Sequence, residues 1–237
     1  MLSNLFLLDI ETVPQKEAYE LLSPEWQILW CEKISKTVPE NTSPIDSYKQ
    51  RGGILAEFGK IVCISTAFFY DELKGGNSLK VKSIYGDDEK EILLSFILLC
   101  NKVYNRNPNF QFAGHNIKEF DIPYICRRMI INGVALPEYL QMYERKPWEV
   151  KMFDTLNWWK FGDHKNYITL HLLANVLGIP TSKSDIDGSM VQDVYYKEKN
   201  IKRIADYCER DVIVTANVVL KFLNLPVLAD EAVVIVP

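Results

Sequence analysis

Two acids two residues apart end an apolar run near the start of the sequence, Leu5-Phe6-Leu7-Leu8-Asp9-Ile10-Glu11-Thr12. A short continuous apolar run reads as a strand buried on both faces. On such a strand Asp9 and Glu11 leave the same face, because side chains alternate. Side by side, the two carboxylates repel each other and lose hydration, so protonation or a cation must compensate. A pair of hard divalent ions held through oxygen meets that need. The competing reading is a strand that ends in solvent with two ordinary surface acids.

Two further stretches carry acids in suggestive places. In Gly114-His115-Asn116-Ile117-Lys118-Glu119-Phe120-Asp121, a glycine and a polar pair stand where a strand turns into a helix. Open α/β sheets hold ligands there, beyond the carboxyl ends of their strands. Asp121 either caps the helix or faces a cation, and capping is the commoner use of an acid at a helix start. In Tyr207-Cys208-Glu209-Arg210-Asp211, on a long helix, Tyr207 and Asp211 are four apart and share a face. Ala205 and Val212 to Val214 mark a side that packs on a sheet, while Glu209 and Arg210 read as exposed charges. A plain surface pair of tyrosine and aspartate is the alternative.

The elements that must position these residues follow from pattern. After the opening strand, 60–69 and 79–85 are rich in β-branched and aromatic residues and read as strands, with a hairpin turn over Lys74-Gly75-Gly76-Asn77. Residues 109–113 and 151–154 are two more, making five. Helices are expected around Glu17–Leu22, from Ser23-Pro24 onward, from Asp88 to about 103, and over 120–132, 156–161, 169–177, 190–197 and 201–222. Trp26 and Trp30 share a helix face and read as core, with stacking on a nucleobase as the lesser alternative. Residues 36–53, polar and broken by Pro39, Pro44, Gly52 and Gly53, read as a flexible loop. The apolar tail over 227–236 is expected to add a strand or cover an edge. Early strands, a crossover helix and then strand–helix alternation imply one α/β domain with a mixed sheet.

Composition narrows the class. The chain of 237 residues is long enough for a substantial core, and 48% hydrophobic with 24% charged residues is ordinary for a globular protein. No apolar run approaches the roughly 20 residues of a membrane span. Met1-Leu2-Ser3-Asn4 has neither a basic n-region nor a cleavage site, so no secretory signal is expected. The five cysteines are scattered without C-x-x-C spacing, which disfavours a zinc site or disulfide scaffold and fits a reducing cytoplasm. A net charge of -4 argues against extensive duplex binding but not against an enzyme that grips a few nucleotides.

Taken in order, D-x-E on a strand, N-x-x-x-F-D and Y-x-x-x-D resemble the DEDD superfamily of 3′–5′ exonucleases in its tyrosine branch. More closely, the chain is similar to predicted 3′–5′ exonucleases related to the proofreading domain of family B DNA polymerases. Phe58 to Ser65, Leu177-Gly178-Ile179 and Asp185 to Val191 agree with this. The resemblance implies a ribonuclease H-like fold, a mixed five-stranded sheet with helices on both faces, and a single exonuclease domain over 1–237. It implies that Asp9, Glu11, Asp121 and Asp211 are ligands to two divalent ions, Mg2+ or Mn2+, and that Tyr207 is the catalytic tyrosine. Thr12 and Val13, through backbone amides, with Asn116 and Phe120, are the expected substrate contacts. Asn116 reads slightly better as a residue that fixes the turn, and Phe120 better as core. His115 and His164 could touch phosphate, but ordinary exposed histidines are the commoner reading. Arg127 and Arg128 could meet the nucleic-acid backbone or form a solvated face. The implied substrate is the 3′ end of a single strand, with DNA favoured over RNA. An exoribonuclease and a non-catalytic nucleic-acid-binding module are the alternatives. A polymerase or repair partner is not specified by any motif.

Overall fold

A computed structural model describes residues 1–39, 41–72, 76–146, 148–163, 165, 167–180 and 186–236. The opening run forms strand β1 (Leu5–Pro14) at the centre of a mixed sheet. Helices α1 (Pro24–Ile34) and α2 (Pro44–Arg51) follow, and then β2 (Gly59–Glu72) and β3 (Gly76–Tyr85), each antiparallel to the strand before it. Helix α3 (Glu89–Arg106) crosses over to β4 (Gln111–Gly114), which lies parallel to β1 on its other side. Next come α4 (Asp121–Ile131), the two-residue β5 (Phe153–Asp154), α5 (Thr155–Lys160), α6 (Leu170–Val176) and α7 (Val191–Tyr196). The long α8 (Ile201–Phe222) precedes β6 (Val233–Val236), which pairs parallel with β3. The sheet order is β5-β4-β1-β2-β3-β6.

The sheet therefore has six strands where five are expected, because the apolar tail pairs with β3 and extends the sheet by one. Lys74 and Gly75 of the expected hairpin turn lie outside the described residues, as do His164 and Asp185; β2 and β3 pair up to Glu72 and Gly76. The stretch 36–53 is not a plain loop, since α2 occupies its second half. Ser43 caps that helix by accepting from the Asp46 N–H, and Pro44 opens it. What holds α2 is its buried face. Tyr48 meets the Trp30 ring edge-on at 5.0 Å, and the Trp30 indole N–H donates to the Ser47 hydroxyl at 3.0 Å. Trp30 is thus core, as is Phe58 beside it, and only Trp26 keeps an exposed edge. The expected helix over 17–22 shrinks to one 3-10 turn, Tyr19–Leu21.

Alternation along β1 decides which helix meets which residue. Phe6, Leu8 and Ile10 face α3 and α4, packing with Phe96, Ile122 and Met129. Leu5 and Leu7 face α8, packing with Val212, Ala216 and Val219. Asp9 and Glu11 continue the second set, so the strand aims both acids at α8. Glu11 pairs with Cys63 and Thr12 with Ile61, which leaves Val62 as an extra residue in β2. This bulge turns two consecutive side chains, Val62 and Cys63, to the α7–α8 side, where both are buried.

Candidate active site

Asp9 and Glu11 stand where β1 runs under the first half of α8, Asp9 half-buried and Glu11 only 8% exposed. Helix α8 sends down Cys208, fully buried, whose thiol donates to Asp9 Oδ2 at 3.3 Å and lies 3.4 Å from the Asp9 carbonyl oxygen. Asp9, Glu11 and Cys208 each offer a donor atom within 4.8 Å of the others. Cys208 escapes a reading that counts cysteines only for disulfide or zinc spacing. Its signal was its place inside the Tyr207–Asp211 motif, three residues before Asp211 on the same helix.

Asp121 is the first residue of α4 and 4% exposed. Its Oδ1 accepts from the Ile10 N–H at 3.2 Å, so it reaches across to β1 between the two acids of the strand rather than capping its own helix. Asp211 comes from α8 and accepts a hydrogen bond from Tyr207 one turn earlier. Burial raises the Asp9 carboxyl well above its usual range, and the charges of Asp121 and Asp211 raise it further. Glu11 is raised in the same way, by burial and then by Asp9 and Asp211. Burial pushes Asp121 up to about 7 and Asp211 up to about 6, although the Tyr207 hydrogen bond and the charge of Arg210 restrain Asp211. Residues from β1, α4 and α8 thus converge as one set of mutually repelling, desolvated acids. Tyr207 is held protonated: burial, then the charges of Asp211, Glu11 and Asp9, raise its hydroxyl far above the ordinary phenol range.

The loop between β4 and α4 is fixed by a residue that sequence reading passed over. Asp154, at the end of β5 and 1% exposed, accepts from the N–H groups of Asn116 and Lys118 and from those of Leu156 and Asn157. It caps α5 and pins the second acidic motif with one carboxylate. Its only sequence signal was an acid before a short helical run. Gly114 begins the loop in a space that admits no side chain, since a Cβ there would lie 2.9 Å from Ile117 Cβ and from the Leu8 carbonyl oxygen. Asn116 follows with φ of 61°, its Oδ1 buried and unpartnered, so it shapes the turn and still holds a spare acceptor.

The other expected contacts fall in several places. Thr12 and Val13 remain in the β1–β2 pairing opposite Ile61 and Lys60, with the Val13 side chain in the core. Phe120 packs half-buried, its ring centre 5.4 Å from that of Tyr124. His115 is not an exposed histidine. Its ring nitrogens meet the Thr155 hydroxyl and the Ile168 carbonyl oxygen, each at 2.9 Å, and burial lowers its pKa, so it is a neutral tether. Arg128 is neither solvated nor free to meet nucleic acid; it forms a buried two-pronged pair with Glu89 at 2.8 and 2.5 Å. Arg127 is exposed. Glu209, expected at the surface, is 6% exposed.

Four carboxylates with hard oxygen donors, all raised in pKa by burial and Asp9 and Glu11 also by the neighbouring acids, are a donor set that fits divalent cations of the Mg2+ or Mn2+ kind. Among the described residues no helix is long and apolar enough to cross a membrane. A family B DNA polymerase from the hyperthermophilic archaeon Pyrobaculum calidifontis has a similar fold, with a TM-score of 0.54 and 16% identity over 93% of this chain. The chain spans 24% of that polymerase, and the shared architecture is the ribonuclease H-like α/β fold of its exonuclease domain. No curated protein matches the chain. Residues 54–231, which include Asp121, Tyr207 and Asp211 but not Asp9 or Glu11, match a family over most of the chain, and the protein belongs to that family, the predicted 3′–5′ exonucleases related to the exonuclease domain of PolB.

Proposed function

We propose that the protein is a metal-dependent 3′–5′ exonuclease that removes nucleotides from the 3′ end of single-stranded DNA, with the whole chain acting as one domain. The observation that carries this reading is the convergence of Asp9, Glu11, Asp121 and Asp211 from three separate elements on one desolvated spot. A buried cluster of acids repels a polyanionic substrate unless cations intervene, so a pure binding module gains nothing from it.

Asp9, Glu11, Asp121 and Asp211 would hold two divalent ions through their carboxylate oxygens. When bound, such ions supply a hydroxide at neutral pH and stabilise the departing 3′ oxygen. Tyr207 keeps its proton and donates a hydrogen bond to Asp211, which leaves its oxygen to accept from the attacking water and orient it; its surroundings make it a poor base. Asp211 anchors that hydroxyl. Asp154 holds the loop of Asn116 in place beside the carboxylates.

The test is digestion of 5′-labelled single strands of DNA and RNA with Mg2+, Mn2+ or chelator. The reading expects a ladder shortening from the 3′ end of DNA, abolished by chelator. Intact strands under every metal condition would defeat it, and faster loss of RNA would reassign the substrate.

A further inference from the structure

Between α4 and the segment 136–152 lies a second feature that the carboxylate cluster does not use. A cavity of about 470 Å3 opens there, a size typical of ligand sites. Its floor is apolar, with Ile122, Leu140 and Met152, and three cations face it: Lys118, Arg127 and Arg145. No acid lines it. Among the described residues none of the three cations forms an ion pair, although Arg127 lends some charge to Glu57. In a chain of net charge -4, three unneutralised cations around one apolar hollow are a local reversal of sign.

An independent observation lies on its rim. The segment from Tyr143 to Trp148 carries two aromatic and two basic residues, Tyr143, Arg145, Lys146 and Trp148, with Glu144 as its one acid. Both rings are displayed rather than packed, at 75% and 76% exposure, and the Lys146 ammonium sits 5.4 Å from the centre of the Trp148 ring. Exposed aromatic faces beside cations are what a single strand needs: stacking for bases, charge for phosphates. The cavity also adjoins the cluster. Lys118 belongs to the loop that Asp154 pins, and on the first turn of α4 Asp121 turns to β1 while its neighbour Ile122 turns into the cavity.

The geometry points to a path for the single strand upstream of its 3′ end: it runs from the carboxylates across Lys118, sets a base in the apolar cavity with phosphates on Arg127 and Arg145, and stacks on Tyr143 and Trp148. This path rests on the exonuclease reading. It makes binding, rather than chemistry, depend on strand length.

The experiment is fluorescence anisotropy of labelled oligo(dT) in chelator across a range of salt, run beside hydrolysis of a labelled dinucleotide with Mn2+. All four target side chains are exposed, so their variants keep the fold. For a long strand, Arg127→Ala with Arg145→Ala is expected to reduce the log–log salt slope by about 1.4, the share of two phosphates on a single strand. Tyr143→Ala with Trp148→Ala is expected to weaken the same strand about tenfold, within the range for a stacked base. Dinucleotide hydrolysis keeps the wild-type rate in both. Unchanged affinity and slope in both variants, with hydrolysis intact, overturn the path and leave the nuclease standing. Equal affinity of the wild type for a mononucleotide and a long strand overturns it as well, since the cavity is then a free-nucleotide site. A wild type that neither binds strands nor cleaves the dinucleotide defeats the nuclease reading itself.

Discussion

Two buried clusters of charge lie on either side of β1, and they solve the same problem in opposite ways. On the α3–α4 side Glu89 is neutralised within the chain. Its two oxygens take the Arg128 guanidinium, the Ile61 N–H at 2.7 Å and the Asn132 amide at 2.8 Å, while Arg128 also donates to the Ala56 carbonyl oxygen at 2.9 Å. On the α8 side Asp9, Glu11, Asp121 and Asp211 crowd together, and their main local donors are a thiol, a phenol and two backbone N–H groups. The first cluster is finished by folding. The second is finished by what it binds, and in that difference a structural ion pair and a functional site part company.

The sharpest way to break the contrast is to neutralise one acid of the second cluster. Asp9→Asn or Asp211→Asn is expected to abolish exonuclease activity while the metal-free melting temperature holds or rises, because a repulsion has been removed. A variant that cleaves at the wild-type rate would sink the ligand assignment. In the first cluster the signs reverse: Arg128→Ala leaves Glu89 buried and alone, and should cost about 3–5 kcal/mol in urea unfolding. A loss under about 1 kcal/mol would mean that water replaces the arginine. Tyr207→Phe removes only a hydroxyl, and a fall of about 10²-fold or more in kcat, with stability preserved, is expected if it positions the reacting groups. An unchanged kcat would confine Tyr207 to packing.

The smallest effect is on pH. A carboxyl whose folded pKa is raised binds its proton more tightly in the folded state, so its contribution is complete below the unfolded pKa near 4 and is lost as pH rises through the folded value. For Asp121 and Asp211 that places the loss between about pH 4 and pH 7. The metal-free protein should lose on the order of 1 kcal/mol of stability per pH unit for each such group in this window. Saturating Mn2+ should remove that loss, since cations favour the ionised acids. Thermal melts with chelator and with Mn2+ across this range check it, and parallel curves would count against metal binding at the cluster.

Much of this was legible in residues whose signals are local. The apolar run into Asp9 marks β1, and Asn200, capping α8 through the Arg203 N–H, begins a helix that runs over the expected 201–222. What was hidden depends on partners far along the chain. Asp154 is an ordinary acid until the two residues of β5 pair with Ala113 and Gly114 and bring it under the Asn116 loop. Arg128 looks like half of a basic patch until Glu89, 39 residues earlier, is folded against it. Helix α2 was missed for a different reason: its Ser43-Pro44 start repeats the Ser23-Pro24 start of α1, but the polar residues and prolines around it outweighed that cap. Cys208 was obscured by its chemistry, since a thiol under a carboxylate follows no disulfide or zinc spacing.

The extra residue at Val62 has a consequence for how this sheet tolerates change. It has no partner on β1. Deleting Val62 would let Cys63 follow Ile61 opposite Glu11 and Thr12, so the ladder would run on with every facing kept, and the loss would be one buried side chain on the α7–α8 side and the bend of the bulge. The hairpin can thus be shortened by one residue at this point while the carboxylates still meet, because the register on both sides of the bulge is held by pairs that Val62 does not join.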